Sequence, residues 1–470
     1  MIRQYPKSSK SNIMEPNPPS LCPASLFLPT ILQIRCHGSL ANSSPPSPHD
    51  FANLWPFLTR NYFLLSNPPI TCSYETSFMT RNDDSARPRA PVKAPTRCPA
   101  CNGTKLAPKG TRTKKFETVS LYKCRSCGRT FTPGPRALRH KTYPFNEILE
   151  ALTLYNRGLS LEDTARRLSS RHGHSVSPAT LSRWLAAHPD LTTYRRLRAR
   201  GLKLFKPPQI IRATKLYHRQ VYEYAVHCGK VALLRDGALD DRRYGDMRFA
   251  GLADFLETAH QTCPHDLFQR EDGTRASQLA PGFLNLDRLT VTEKQNIATD
   301  TAALIIPSVG SNHDRHPKLQ RFMLANDSAT LAVEVPIWLV EDDIALLEEM
   351  YGVTIVPKEP IHPARPSRGH KPRFITGHID FLQARNGAIH ILDYKPDART
   401  NKPIAQLSAY ALALTRLVPG LRLFDIKCGW FNENCYNEFL PRLLLPRPKS
   451  SYQILQEILE EEAAIRDGIE

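Results

Sequence analysis

One stretch constrains this chain more than any other: RFITGHIDFLQARNGAIHILDYKPDARTNKPIAQLSAYALALTRL, residues 373–417. RFITGHIDFLQ alternates and is rich in β-formers, Arg385-Asn386-Gly387 has the composition of a tight hairpin turn, and AIHILDYK reads as a second strand. A period of two puts Asp393 and Lys395 on one face of that strand. Asp380 falls near the end of the preceding strand, where pairing brings its carboxylate towards that of Asp393. Two carboxylates so placed form a hard oxygen site suited to Mg²⁺ or Mn²⁺. A lysine beside them can stabilise an attacking water as hydroxide, or the charge that develops on a phosphate. Residues 400–418 then read as a helix, with Gln406 and Tyr410 four apart and so on one face.

An isolated Asp-x-Lys on a strand is commonplace; the order of the elements is not. Asp, hairpin, Asp-x-Lys and then Gln-x-x-x-Tyr resembles the PD-(D/E)XK nuclease superfamily, and its RecB-like branch most closely. GHIDFLQ, HILDYKPD and QLSAYALAL look like that branch's G-x-I-D, L-D-Y-K and Q-x-x-x-Y segments. The resemblance covers residues 373–417 closely and 209–445 loosely. It implies a restriction-endonuclease-like α/β core with a central mixed sheet flanked by helices. It also implies Asp380 and Asp393 as metal ligands, Lys395 as the catalytic lysine, and Gln406 and Tyr410 shaping the site and contacting the substrate strand. Upstream, ATLAVEVPIWLV (329–340) reads as the first core strand, from which Glu334 can reach the metal. In this superfamily an acidic or His residue from a preceding helix often completes the site, and His218, Glu293 and Glu334 are the candidates. His378 shares a strand face with Asp380 and is read as structural. Some RecB-like nucleases hold an iron–sulfur cluster through one early and three late cysteines. Here Cys228 and Cys263 precede the helix and Cys428 and Cys435 follow it, so the late trio is missing. DIKCGWFNENCYNEFLP reads instead as two strands about an FNEN turn, with both cysteines as strand residues.

Four of the eleven cysteines form two C-x-x-C pairs, Cys98/Cys101 and Cys124/Cys127, a spacing that suits a tetrahedral four-thiolate zinc site on two tight turns joined by a hairpin. Gly103 and Gly128, just after the pairs, are expected to supply the backbone angles such turns need. YKCRSCGRTF resembles the end of the zinc ribbons found at the N-termini of insertion-sequence transposases. Lys105, Lys109, Arg112, Lys114, Lys115, Lys123, Arg125 and Arg129 around it favour contact with DNA. The next segment repeats apolar residues at three and four: Phe145, Ile148, Leu149, Leu152 and Tyr155 in a first helix, and Leu161, Ala165 and Leu168 in a second. Ser177-Pro178 gives an N-cap and a first-turn proline for a third helix, with Leu181, Trp184 and Leu185 inside and Ala179, Thr180, Ser182 and Arg183 outside. This three-helix unit resembles the helix-turn-helix of transposases and resolvase-like proteins. On that reading Thr180, Ser182 and Arg183 meet DNA.

Lys and Arg outnumber Asp and Glu by 63 to 45, a net charge of +18, which favours a polyanionic partner. No run of eighteen apolar residues offers a membrane span, so DNA, in duplex form, is the partner expected. The other seven cysteines are scattered, as in a reducing compartment, which points to a cytoplasmic, prokaryotic-type and nucleoid-associated protein. Residues 1–90 are rich in Pro, Ser and Asn, without sustained periodicity or a signal-peptide pattern. They read as a disordered tail or as a non-native extension ahead of a start at Met79. The expected organisation is therefore an extension (1–90), a zinc ribbon (95–135), a helix-turn-helix (144–190), a basic linker (191–208), a nuclease domain (209–445) and an acidic tail (446–470). The function expected is a Mg²⁺-dependent deoxyribonuclease, an endonuclease, brought to DNA by its own modules. A transposase or mobile-element-associated DNA-binding protein is the alternative, although the acids after Asp393 make no three-carboxylate arrangement. The sequence leaves open whether the chain acts alone or as a homodimer.

Overall fold

The computed structural model describes residues 94–133, 142–193, 195–237, 247–309, 311–357 and 373–448. All lie in one compact unit that spans Tyr74–Glu470. The expected extension, and the acidic tail beyond residue 448, lie outside the described residues.

The chain is mixed α/β. A three-stranded antiparallel sheet comes first: β1 (Leu106–Thr113), β2 (Thr118–Cys124) and β3 (Thr130–Phe131). Three helices follow, α1 (Phe145–Asn156), α2 (Leu161–His172) and α3 (Pro178–Ala187). Their ends follow from local chemistry. Ser160 caps α2 by accepting from the Asp163 amide at 2.9 Å, Gly173 ends it in the left-handed region (φ 70°), and Ser177 caps α3 through the Thr180 amide at 3.2 Å. Leu168, Leu181 and Trp184 are buried as the periodicity requires. Thr180 is not where the sequence placed it. It is buried, and its Oγ1 is taken up by Ser177 Oγ (3.0 Å) and Arg183 Nη2 (3.2 Å), so it serves the helix cap and not the outer face.

The expected linker is a packed helix, α4 (Arg195–Leu204). Leu197 and Gly201 are buried, and Gly201 meets Gly229 so closely that a Cβ on Gly229 would lie 3.2 Å from the Gly201 Cα. Arg195, Arg196, Arg200 and Lys203 stay exposed, so a stretch that reads as a charged connector is an amphipathic helix with a narrow apolar seam. Arg198 fastens it to α1 by donating to the carbonyls of Tyr155 (2.9 Å) and Leu159 (2.8 Å).

The remaining elements, in chain order, are β4 (Ile211–His218), β5 (Gln220–His227), α5 (Cys228–Arg235), α6 (Ala250–Thr262), α7 (His265–Gln269), β6 (Thr274–Arg275), β7 (Thr292–Glu293), α8 (Ile297–Ile305), α9 (Arg315–Asn326), β8 (Thr330–Leu339), α10 (Glu341–Tyr351), β9 (Ile375–Arg385), β10 (Ala388–Tyr394), α11 (Ile404–Leu417), β11 (Ile426–Phe431) and β12 (Tyr436–Phe439). They build a nine-stranded mixed sheet in the order β4-β5-β8-β9-β10-β11-β12-β7, with β6 beside β9. Asn386 (φ 52°) and Gly387 (φ 68°) turn β9 into β10, the pair of positive angles that a two-residue hairpin demands. α11 carries the chain from β10 to its parallel neighbour β11. It begins after Pro403, four residues later than its periodicity suggests, and its run of alanines packs closely on the sheet. Both faces of the sheet are covered. α6, α10 and α11 pack with Val335, Ile379, Ile391 and Trp430; α8 and α9, joined by α1–α3, pack with Val333, Phe381, Tyr394 and Phe431. α1 is tied to α9 by a buried amide pair, Asn156 Nδ2 to Asn326 Oδ1 at 2.7 Å. Among the described residues, no helix is long and apolar enough to cross a membrane.

Candidate metal centres

The register of the central strands decides where the acids meet. Leu392 pairs with Phe381 and Ile391 with Leu382, which places Asp393 opposite Asp380. On the other side of β9, Val333 pairs with Phe381 and Val335 with Ile379, which places Glu334 opposite Asp380 as well. Three carboxylates from three adjacent strands thus form one row. Strict alternation would put Val333 and Val335 on one face, and Ile379 and Phe381 on one face. The members of each pair instead pack into opposite layers, so both strands change face at Glu334 and Asp380. Glu334 takes a left-handed φ of 51°, which a non-glycine residue in a core strand adopts only under constraint.

The row opens on a cleft of about 210 Å³ lined by His218, Tyr222, Arg275, His316, Glu334, His378, Asp380, Gln406 and Tyr410, among others. Asp380 and Glu334 line this opening and are only partly exposed. Burial, and then the charge of Glu334, push the Asp380 carboxyl up to about 6. Burial raises Glu334 to about 7 against the help of Gln320, which donates to its Oε1 at 2.7 Å. Asp393 is 2% exposed, and burial followed by the Asp380 charge holds it well above the usual carboxylate range. Neither of its oxygens receives an aligned hydrogen bond, although Lys395 Nζ stands 2.9 Å from Oδ2 as an ion pair. Burial works against the lysine charge, but Asp393 outweighs it and keeps Lys395 above its usual value, hence cationic. Like charges opposed across strands destabilise a sheet, and a buried carboxylate oxygen without a donor costs more. One lysine offsets only part of that. Three carboxylate oxygen donors in a row are of the kind that could hold a hard divalent cation.

The residues expected around this centre are distributed unevenly. Gln406 and Tyr410 on α11 line the cleft, the Gln406 amide donating to Tyr410 Oη at 2.9 Å. Gly377 makes room for that ring: a Cβ there would lie 2.5 Å from Tyr410 Cε1. Of the three candidates for a further ligand, Glu334 joins the row. Glu293 sits on the edge strand β7 paired with Asn437, away from it. His218 lies on the cleft wall and hydrogen-bonds His378 (Nδ1 to Nε2, 2.9 Å), while Tyr222 stacks on His378 at 3.7 Å. His316 and Gln320 were missed. They stand four apart on α9, so both face the row; His316 Nε2 is 2.7 Å from the Tyr394 carbonyl. The signal, His-x-x-x-Gln just before β8, is present in RHPKLQRF; β8 itself is not the first strand of the central sheet, since β4 and β5 precede it there.

The second centre is the cysteine cluster. The sulfurs of Cys98, Cys101, Cys124 and Cys127 lie within 4.8 Å of one another, with Cys98–Cys127 at 3.7 Å and Cys101–Cys124 at 3.6 Å, and all four are free thiols. A tetrahedron with Zn–S bonds of about 2.3 Å has edges of about 3.8 Å, so the cluster could hold zinc with little movement. Gly128 has the expected left-handed angle (φ 72°), but in the first turn Asn102 takes it (φ 56°). Gly103 is needed for space: a Cβ would come within 2.9 Å of Ser126 Oγ.

No family model matches the chain, and no curated protein or solved structure matches it.

Proposed function

We propose that the chain is a metal-dependent deoxyribonuclease of PD-(D/E)XK type, with its centre at Glu334, Asp380, Asp393 and Lys395. The observation that carries this reading is the row of three carboxylates on adjacent strands, closed by a charged lysine and deficient in hydrogen-bond donors. Such an arrangement costs folding stability and is useful only to something that binds cations. Asp380, Asp393 and Glu334 would hold Mg²⁺ or Mn²⁺, which as a Lewis acid polarises a phosphodiester and eases ionisation of water. Lys395, cationic, partly exposed and paired with Asp393, would balance charge developing on a phosphate oxygen or hold a hydroxide in place. Tyr410 and Gln406 form a polar wall that excludes loose solvent and orients the strand. Polyanion binding is supported by the +18 charge, by exposed Arg183 and Ser182 on α3, and by the arginines of α4. We read α1–α3 as a helix-turn-helix and the cysteine cluster as a zinc ribbon, both serving to bring duplex DNA to the centre.

Plasmid and linear DNA incubated with purified protein, with and without Mg²⁺, test the reading. Cleavage should need Mg²⁺, disappear in Asp380→Ala and fall by about 10²–10³-fold in Lys395→Ala, while binding persists. Normal cleavage by both variants overturns the site assignment.

A further inference from the structure

We infer that His218, Cys263 and His265 form a transition-metal site separate from the carboxylate row and from the four-cysteine cluster, with Zn²⁺ as the fitting ion. Their ligand atoms all lie within 4.8 Å of one another. His218 Nε2 is 2.9 Å from His265 Nδ1 and 3.9 Å from Cys263 Sγ. Around a tetrahedral Zn²⁺ with bonds of about 2.0 Å to nitrogen and 2.3 Å to sulfur, these edges are roughly 3.3 and 3.5 Å. The measured separations bracket those values, so a few tenths of an ångström complete the site. A hydrogen bond between the two rings accounts for one of the contacts but leaves the thiol converging on the same nitrogen without purpose.

The surroundings are those of ligands already oriented. Each imidazole has its far nitrogen engaged: His265 Nε2 lies 3.3 Å from the His260 carbonyl, and His218 Nδ1 lies 2.9 Å from His378 Nε2. Outer partners of this kind fix which nitrogen points at the metal. Cys263 and His218 are buried, and Phe268 stacks on His218 at 4.1 Å. The three ligands come from the end of β4, the C-cap of α6 and the first residue of α7, with Pro264 stiffening the Cys-Pro-His step. One thiolate and two imidazoles select a borderline-soft ion over Mg²⁺. Three protein ligands leave one position for water or an anionic ligand, and His218, with its partner His378, also lines the cleft that holds Asp380.

Metal analysis of the purified full-length chain tests this. The wild type should carry two zinc ions per chain. Cys263→Ala/His265→Ala should carry one, and Cys98→Ala/Cys101→Ala should retain one. Cobalt loaded into the latter should show a thiolate-to-metal charge-transfer band that Cys263→Ala removes. A wild type with one zinc that survives in Cys263→Ala/His265→Ala, or no such band, overturns the proposal. His265→Gln guards against misfolding, since His265 is only half-buried: a folded His265→Gln chain, checked by circular dichroism, that still carries two zinc ions also overturns it.

Discussion

Asp380→Asn should make the protein more stable and inactive at once. In an unfolded chain an aspartate ionises near pH 4, whereas in the folded protein Asp380 ionises at about 6. The folded state therefore holds this proton more tightly. Stability falls as pH rises from about 4 to about 6, and the full cost is present above that range. A rise of this size corresponds to about 3 kcal/mol, at 1.36 kcal/mol per tenfold change in proton affinity. Asparagine is nearly isosteric, keeps an oxygen to accept from the Tyr394 amide (3.4 Å in the wild type), and carries no charge for Glu334 and Asp393 to repel. In Mg²⁺-free buffer at pH 8 the variant should exceed the wild type by up to about 3 kcal/mol, or roughly 4 °C in Tm for a unit of this size, with the difference vanishing below pH 4. Comparing the two proteins also cancels the buried histidines. His218 and His390, each lowered to about 4, act in the opposite sense and gain stability as pH rises towards 6.5. On the proposed site, Mg²⁺ should raise the Tm of the wild type and leave the variant nearly unchanged. A variant less stable than the wild type at pH 8, or a difference independent of pH, refutes the account of the row as a strained cation site.

Lys395→Ala should lower Mg²⁺-dependent cleavage by about 10²–10³-fold in a plasmid-nicking assay while DNA binding by gel shift is unchanged. Gly377→Ala forces a methyl group against Tyr410 and should cost about 1–3 kcal/mol in urea unfolding, with loss of cleavage as the ring leaves its place. Asn156→Ala strands the buried Asn326 amide that joins α1 to α9 and should destabilise by about 1–3 kcal/mol, without altering the dependence of cleavage on Mg²⁺ concentration.

What was legible in the sequence was whatever depends on local pattern. The hairpin at Asn386-Gly387, the strands holding Asp380 and Asp393, the cap at Ser177 and the four-cysteine spacing all arise within a few residues of chain, and each is found where it was read. Tertiary packing wrote the rest. The apolar seam of α4 is two residues wide, too narrow to stand out among arginines, and matters only because Gly229 of α5 lies against it. Thr180 has the composition of an outer-face residue, but the cap of Ser177 draws its hydroxyl inward. His316 and Gln320 belong to a helix whose relation to the row is set by the sheet, so their spacing has meaning only once β8 is in place.

Glu334 shows why the third acid could not be chosen from three by pattern alone. Alternation along ATLAVEVPIWLV gives it a face, but the strand changes face at Glu334 itself, so a rule that counts in twos fails at the residue of interest. The left-handed angle there costs about 1–3 kcal/mol, and like charges opposed across strands destabilise further. Neither cost persists unless the surroundings enforce it. They do: β8 and β9 are buried on both faces, and Gln320 anchors the glutamate from α9. Glu293 lies exposed on a two-residue edge strand, opposite Asn437 and away from the row. His218 is committed to His378, His265 and Cys263. Strain and register therefore single out Glu334 as the third carboxylate of the row, and so as the third ligand in the proposed cation site, where spacing could not.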